Sequence, residues 1–299
     1  MWDRIVFYEL RHYGDLHITR NFVRYVMDRI PARQYTYVLK ASPKVFSDFP
    51  TLTFEVYDPT IHPFTDYSAW SVVNDVLYVN TSCGANEMNF FQGTTIQSAY
   101  AIFEHYLQVF CNHKLDKDLS KFIPSIDFSY FKIGNVDSYI KSSPKKRKVL
   151  FVNGLTQSGQ SPNFDMTSIL VFLAQYNPHI LFFVSNKEDY TMKKTYAKHK
   201  NILFCKDIIG ISENDIVETS YFSRFCDIIV GRSSGVYTLS IEQENILNKP
   251  KKFITIGHAE RDKDLGIVSL YPALANNFVW SNEYSFGGMV DLIQNHIRL

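Results

Sequence analysis

The stretch Asp227-Ile228-Ile229-Val230-Gly231-Arg232-Ser233-Ser234-Gly235 joins the pattern of a buried strand to a turn rich in glycine and serine. A helical pattern begins at Ser234, directly after the turn. A short, continuous apolar strand of this kind is typical of a parallel sheet covered on both faces. The stretch therefore predicts an α/β fold in which the turn lies at the carboxyl end of a strand, where ligands bind in such sheets.

The same turn has the composition of an anion site. Backbone N–H groups and the helix dipole at a helix N-terminus attract negative charge. Ser233 and Ser234 can donate hydroxyl hydrogen bonds, Arg232 can donate a charged fork, and Gly231 and Gly235 permit close backbone approach. The alternative is a capped helix after a tight turn, which needs fewer of these residues. The stretch lacks the GxxxxGK[ST] pattern of a Walker loop. We predict that it binds a phosphate-bearing ligand.

Strand-like and helix-like segments alternate along the chain in two series, which begin at Ile5–Leu10 and at Val149–Val152. A polar segment at 137–148, with a Ser-Ser-Pro sequence and a basic run, is typical of a linker. We predict two Rossmann-like domains facing a central cleft, residues 1–143 and residues 144–287. A last helix at 288–299 is expected to pack back on the first domain.

Composition limits the class of protein. The chain has 299 residues, 45% of them hydrophobic, and a net charge of +1, so no basic field suggests nucleic-acid binding. Its four cysteines show neither a CxxC pair nor a spacing suited to zinc, which favours buried free thiols in a reducing compartment. No apolar run approaches the ~20 residues of a membrane helix, and the N-terminus lacks the pattern of a signal peptide. We therefore expect a cytoplasmic protein without a transmembrane segment.

The loop Asn153–Asn163, sequence NGLTQSGQSPN, follows the first strand of the second series. Asn153, Gln157 and Ser158 are predicted to contact the ligand there, although a flexible surface loop has the same composition. The backbone near Ile208 is a candidate for binding a nucleotide base. Two helical glutamates, Glu218 and Glu242, are candidates for a ribose hydroxyl, but exposed glutamate on a helix is ordinary.

The first series contains its own polar segment, RHYGDLHITR at 11–20. Asp15 stands where the next helix begins, and this position favours an N-cap. A carboxylate there is also able to take a proton from a hydroxyl nucleophile, and His17 or His12 could do the same. Arg20 is interpreted as structural or as directed at a phosphate. We predict Asp15 and His17 as the catalytic residues. Acidic pairs with the DxD spacing, such as Asp262 and Asp264, lie in polar loops and are interpreted as solvated, so no metal is expected.

With these stretches, the chain resembles the glycosyltransferases of the two-domain GT-B fold, in outline the heptosyltransferase-like enzymes. The resemblance rests on the first strand with Gly14-Asp15, on residues 149–160, and on residues 227–235. It implies a nucleotide-diphosphate sugar in the second domain and a glycan or glycoconjugate acceptor on the first. It also implies metal-independent transfer without a further cofactor, with Asp15 as the base and Ser233-Ser234-Gly235 as the diphosphate-binding turn. A sugar-nucleotide epimerase of the same fold and a non-catalytic nucleotide- or sugar-binding module are the alternatives.

Overall fold

The computed structural model describes residues 1–10, 13–40, 42–65, 68, 70–82, 95–143, 147–156, 159, 161–186, 198–211 and 216–297, except the side chains of Arg261 and Asp262. The chain divides into two compact units, Met1–Asp127 with Leu265–Leu270, and Phe128–Asp264 with Tyr271–Leu299. Each unit has its own sheet, built mainly of parallel strands. The predicted α/β class with two such units is confirmed.

The sheet of the first unit has five strands: β1 (Trp2–Glu9), β2 (Ala32–Leu39), β3 (Leu52–Val56), β4 (Ser71–Val73) and β5 (Val76–Asn80). Their order is β3-β2-β1-β5-β4, and all neighbours are parallel except β4 and β5. The central strand β1 is buried from Ile5 onward, as expected for a strand covered on both faces.

Two long helices of the first unit, α1 (Tyr13–Arg29) and α2 (Ile96–Cys111), pack against each other. The ring of Phe22 on α1 stacks between Phe103 and Phe122, with ring centroids 5.0 and 4.3 Å apart. Burying aromatic side chains of this size supplies much of the stability of a small core. Pro31 follows the end of α1 closely, because proline lacks the N–H that would continue the helix.

The sheet of the second unit has six strands, all parallel, in the order β11-β10-β9-β6-β7-β8. The strands are β6 (Arg147–Val152), β7 (Ile180–Val184), β8 (Ile202–Phe204), β9 (Ile228–Arg232), β10 (Lys252–Ile256) and β11 (Phe278–Ser281). Every residue of β7 and of β9 is buried, which accounts for the continuous apolar runs in the sequence.

The remaining helices, numbered in chain order, are short apart from two. They are α3 (Val136–Lys141), α4 (Met166–Tyr176), α5 (Cys205–Ile209), α6 (Ile216–Ser220), α7 (Gly235–Ser240), α8 (Ile267–Leu270) and α9 (Phe286–Ile297). The 3-10 turns are at Pro43–Phe46, Leu119–Phe122, Phe128–Tyr130, Tyr221–Phe225, Glu260–Lys263 and Pro272–Asn277, with a π-type turn at Glu244–Asn248.

The division between the units lies earlier than the predicted boundary at 143/144. The ring of Phe128 packs 4.8 Å from that of Tyr221 and lies 4.5 Å from the Arg224 guanidinium carbon. Gly134 approaches Ile209 so closely that an added Cβ would lie 1.9 Å from its carbonyl oxygen. These contacts tie residues 128–143 to the second unit, although their polar composition is that of a linker.

The last helix also differs from the expectation that it packs back on the first domain. Met289, Val290, Ile293 and Ile297 of α9 belong to the same core as α4 and the six-stranded sheet. Its Gln294 side chain exchanges hydrogen bonds of 3.1 and 3.2 Å with Asn177, directly after α4. The apolar face of α9 therefore covers the second sheet. The segment Leu265–Leu270, not α9, belongs to the first unit.

None of the helices among the described residues is both long and apolar enough to cross a membrane.

Candidate functional site

The carboxyl ends of the central strands of the second sheet lie side by side. In the strand register, Val152 of β6 is opposite Gly231 of β9, and Arg232 is opposite Ile256 of β10. The residues that follow β6, β7, β9 and β10 therefore share one edge of the sheet, which we call the carboxyl edge. Edges of this kind bind ligands in open α/β sheets.

The Ser233-Ser234 turn lies at the centre of the carboxyl edge. Ser234 is extended (φ −142°, ψ 172°) and occupies the N-cap position of α7, but its side chain makes no capping hydrogen bond. Its Oγ atom is buried and has no hydrogen-bond partner within the described ranges. Because a buried hydroxyl without a partner carries a desolvation cost, the capped-helix alternative does not account for Ser234. A ligand oxygen at this point would satisfy the hydroxyl.

Gly231 permits close approach of a neighbouring strand. A Cβ atom at this position would lie 2.5 Å from the Cβ of Val152 and 2.7 Å from its carbonyl oxygen. Real Cβ atoms do not approach other atoms so closely, so the residue opposite Val152 must be glycine for β9 to pair with β6 here. The prediction that Gly231 permits close backbone approach thus has a structural cause independent of any ligand.

The guanidinium of Arg232 is directed at the loop that follows β6. It donates hydrogen bonds to the carbonyl oxygens of Asn153 (3.0 Å), Gly154 (3.2 Å) and Pro162 (3.2 Å), and to that of Phe164. Four of its five N–H donors are thereby used. Its carbon Cζ lies 4.6 Å from the centre of the Phe164 ring. The predicted fork toward phosphate is instead a clamp on backbone carbonyls.

The electrostatics of Arg232 follow from this environment. Burial lowers the pKa of Arg232 to about 10, while the charge of Asp165 acts in the opposite direction. The side chain is 1% exposed and still carries its proton at neutral pH. A buried cation therefore lies beside the Ser233-Ser234 turn, and it favours an anion bound near it.

The loop after β6 is held in place at both ends. Asn153 accepts hydrogen bonds at Oδ1 from the backbone N–H of Asn186 (2.8 Å) and from Ser185 Oγ (3.2 Å), both after β7. Thr156 donates its N–H to Asn163 Oδ1 at 2.9 Å, and Asn163 Nδ2 donates back to the Thr156 carbonyl at 3.2 Å. The Asn153 side chain thus positions the loop. The predicted contacts Gln157 and Ser158 lie outside the described residues.

The candidates for the base and the ribose have ordinary structural environments. Ile208 lies on α5 and is partly buried. Glu242 is buried and binds Arg224 through both carboxylate oxygens, at 2.8 and 2.9 Å. Glu218 is likewise buried. The carboxylate of Glu242 is therefore committed to an ion pair and is not an exposed helical group.

In the first unit, α1 begins at Tyr13, so Asp15 lies inside the first helical turn and not at the predicted N-cap position, and it is 5% exposed. His17 is fully buried, so Asp15 is the more accessible of the two predicted catalytic residues. Arg20 is also fully buried and binds Asp48 Oδ1 through Nη2 at 2.5 Å. This ion pair decides between the two interpretations of Arg20 in favour of the structural one. His12 lies outside the described residues.

Among the side chains that the structure describes, no group of three or more His, Cys, Asp or Glu residues could hold a metal ion. Cys111, Cys205 and Cys226 are free thiols, and burial raises the pKa of each. Buried thiols with raised pKa values are unreactive, because the thiolate is the reactive form.

Sequence reasoning did not single out three side chains at the carboxyl edge: Phe164, His258 and Tyr284. His258 follows β10 by two residues, and its ring is hydrogen bonded to Tyr284. The signal was present, because Phe253–Ile256 is a strand pattern followed by a glycine and a histidine. Ser233 was predicted as a site residue because it follows an apolar strand, and the same reasoning applies to His258.

The fold is similar to several solved structures at low sequence identity. A complex of S. aureus MnaA with UDP matches 99% of this chain and 88% of its own, at 12% identity and a TM-score of 0.55. A family 9 glycosyl transferase from Veillonella parvula DSM 2008 matches 86% of this chain and 82% of its own, at 12% identity and a TM-score of 0.51. A putative UDP-N-acetylglucosamine 2-epimerase from Listeria monocytogenes matches 100% and 89%, at 8% identity and a TM-score of 0.50. The chain has a GT-B fold.

The predicted resemblance is thereby confirmed at the level of the fold, which glycosyl transferases and epimerases share. No protein-family model and no curated protein matches the sequence. Because one fold hosts several activities, the activity has to be argued from the site.

Proposed function

We propose that this GT-B chain is a glycosyltransferase that moves a sugar from a nucleoside-diphosphate donor to a hydroxyl acceptor, without a metal ion. The supporting observation is the buried Ser234 hydroxyl, which has no partner among the described residues and lies at the carboxyl edge of the second sheet. A phosphate oxygen is an acceptor that satisfies such a hydroxyl. The adjacent buried charge of Arg232 favours the same ligand.

In the proposed reaction, Asp15 takes the proton from the acceptor hydroxyl. The resulting oxygen attacks the anomeric carbon of the donor, and the bond from that carbon to the diphosphate oxygen breaks. Negative charge develops on the leaving diphosphate. Donors at Ser233, Ser234 and the backbone of Gly235 stabilise it in the transition state, because they are already in place. His17, fully buried, is the second candidate for the base.

A donor and acceptor assay tests the proposal. The protein is first screened for thermal stabilisation by ADP, UDP, GDP and CMP and their sugars, where a hundredfold excess over the dissociation constant adds roughly 2.7 kcal/mol. The sugar that stabilises it is then incubated with candidate glycan acceptors. We expect a glycosylated product from wild type. Asp15→Asn should reduce the rate at least about a hundredfold, with nucleotide affinity unchanged, because general-base catalysis contributes that much. Stabilisation by none of the nucleotides would contradict the proposal.

An epimerase is the second candidate, since two of the solved structures with TM-scores of 0.50 or more match 99–100% of this chain and one of them is a putative UDP-N-acetylglucosamine 2-epimerase. The two activities differ in their need for an acceptor. Incubation with the donor alone, followed by NMR of the sugar, gives an inverted carbon for an epimerase and an unchanged sugar for a transferase. A non-catalytic binding module would bind the nucleotide and give neither product.

A further inference from the structure

His258 lies beside the Ser233-Ser234 turn because β10 pairs with β9. The N–H of Ser233 donates to the Ile256 carbonyl at 3.4 Å, so the turn and the residues after β10 leave the sheet together. The next residue, Gly257, is fixed on its other side: its N–H donates to Ser281 at 3.1 Å, and its carbonyl accepts from Trp280 Nε1 at 3.1 Å. The backbone that carries His258 is therefore well anchored at the carboxyl edge.

The ring of His258 is oriented by Tyr284. The tyrosine hydroxyl lies 3.2 Å from His258 Nδ1, and the two rings meet edge to face with centroids 5.9 Å apart. Burial raises the pKa of Tyr284, which keeps its hydroxyl protonated at neutral pH. When this hydroxyl donates to Nδ1, the ring proton is on Nε2. The exposed imidazole then presents an N–H donor at the edge.

The same tyrosine connects His258 to the loop after β6. The ring centroids of Tyr284 and Phe164 are 5.8 Å apart. The guanidinium carbon of Arg232 lies 4.6 Å from the centre of the same Phe164 ring. Arg232, Phe164, Tyr284 and His258 thus form one contiguous series across the carboxyl edge. We call these four residues the edge cluster. The turn after β9 and the loops after β6 and β10 are positioned by the same group of contacts.

The basic residues near the Ser233-Ser234 turn single out His258. The end of β9 and the segment from the end of β10 to the turn Glu260–Lys263 contain four of them: Arg232, His258, Arg261 and Lys263. Arg232 is committed to backbone carbonyls, and Lys263 Nζ binds Glu260 Oε1 at 2.6 Å. The side chain of Arg261 is not among those described. His258 is thus the basic side chain with a described position and a nitrogen, Nε2, available to a ligand.

We propose that His258 binds the diphosphate of the donor through Nε2 and that Tyr284 is a positioning residue that fixes the ring for this contact. The proposal rests on the proposed nucleotide-sugar function and names a binding residue for it. It also accounts for the lack of a phosphate-directed fork at Arg232, because the donor group comes from the neighbouring strand.

The test compares nucleoside diphosphates with their nucleosides by isothermal titration calorimetry. The nucleotide is whichever of ADP, UDP and GDP binds wild type, and the matching adenosine, uridine or guanosine is the second probe. His258→Ala should weaken the diphosphate at least about tenfold, equivalent to ~1.4 kcal/mol, and leave the nucleoside unchanged. His179→Ala is the matched control, since His179 is an exposed histidine just before β7, at the opposite edge of the same sheet.

Conservative variants separate contact from structure. His258→Gln places an amide N–H near the Nε2 position and should retain most of the affinity, whereas His258→Asn places it near Nδ1 and should lose as much as His258→Ala. Tyr284→Phe should lose a few-fold, because the ring loses its orienting hydroxyl. Each variant is checked for an unchanged circular dichroism spectrum and melting temperature.

The outcomes are distinct. Failure of wild type to bind any of the three nucleotides overturns the proposed function and this proposal together. Diphosphate binding that His258→Ala leaves unchanged overturns the role of His258 alone, and a loss in Arg261→Ala instead would assign the contact to Arg261. Equal losses for diphosphate and nucleoside would show a structural role and would also overturn the proposal.

Discussion

Among the described side chains, each unit buries one arginine almost completely, and these two arginines differ in what balances their charge. Arg20 in the first unit has a carboxylate partner, Asp48, which is itself fully buried, and its guanidinium carbon lies 5.8 and 5.5 Å from the Phe46 and Phe49 rings. Arg232 in the second unit is bound by backbone carbonyls of the loop after β6. The charge of Asp165 also acts on it, without a hydrogen bond between the two side chains.

The difference separates an arginine bound to a carboxylate from one bound to neutral carbonyl groups. The charge of Arg20 is balanced by a carboxylate in direct contact, Asp48, which also binds the partly exposed Arg24 at 3.2 Å. Carbonyl dipoles stabilise the charge of Arg232 but do not cancel it, and its pKa falls to about 10 as a result of burial. An anion at the neighbouring Ser233-Ser234 turn would supply the missing negative charge. We therefore interpret Arg232 as the residue that shapes the loop and charges the edge.

The largest expected effect is on the buried pair of the first unit. Asp48→Ala removes the carboxylate and leaves Arg20 buried without its counter-charge, so the free energy of unfolding should fall by about 3–5 kcal/mol. Urea denaturation followed by circular dichroism measures it. The matched control is Asp3→Ala, which breaks the exposed pair with Arg33 (3.2 Å, side chains 58% and 73% exposed) and should cost less than about 1 kcal/mol. Equal costs would remove the distinction between the two kinds of pair.

A smaller loss of stability is expected from Arg232→Met, with a larger effect on binding. This change leaves neutral carbonyl groups without a donor, whereas Asp48→Ala leaves a buried charge without a partner. The free energy of unfolding should therefore fall by only about 1–3 kcal/mol. Nucleotide affinity should fall at least about tenfold. Arg232→Lys keeps the charge but cannot reach four carbonyls, so it should behave like Arg232→Met if the clamp matters. Full affinity in the lysine variant would mean that charge alone is required.

Substitution of Gly231 tests whether a glycine is needed at this position for β9 to pair with β6. Gly231→Ala forces a Cβ against Val152 and should lower stability by about 1–3 kcal/mol through overpacking. Gly154→Ala is the control in the adjacent loop, because its Cβ would meet no atom within 4 Å. That variant should change the free energy of unfolding by less than about 1 kcal/mol. If both variants denature at the same urea concentration as wild type, the pairing of β9 with β6 does not require glycine at position 231.

Local patterns explain which parts of the fold could be predicted. The buried strands β7 and β9 are continuous apolar runs bounded by polar residues, so they could be read directly from the sequence. The three-residue strand β4 was missed, although Asn74 and Asp75 form its turn with φ of 50° and 62°, a geometry that Asn and Asp tolerate in tight hairpins. The edge strand β11 was missed as well, because a segment of four residues is too short for its alternating pattern to be recognised.

Tertiary hydrogen bonds explain where helix prediction failed. The pattern from Ser234 to Leu247 predicts one helix, yet α7 ends at Ser240 and a π-type turn follows. Asn245 Nδ2 donates to the Ser240 carbonyl at 2.9 Å and to Ser223 Oγ at 2.8 Å, while Arg224 binds Glu242. Ser223 and Arg224 lie about 20 residues earlier than their partners, and no helical period contains such contacts.

The candidate site shows the same limit. Its location could be predicted, since a Gly-Arg-Ser-Ser-Gly turn after an apolar strand is a local signal. The direction of Arg232 could not, because its four carbonyl partners lie 68–79 residues away in the chain. The pairing of His258 with Tyr284, 26 residues later, likewise appears only once β10 and the residues after β11 are placed together.

Calorimetric titration of wild type and of the double variant Ser233→Ala/Ser234→Ala with ADP, UDP and GDP is the most direct test that the turn after β9 binds a diphosphate. We predict that wild type binds at least one of the three. The double variant should bind it at least about tenfold more weakly and unfold at the same urea concentration, because the Ser234 hydroxyl has no partner among the described residues to lose. Unchanged affinity in the double variant, or no binding by wild type, would contradict the account.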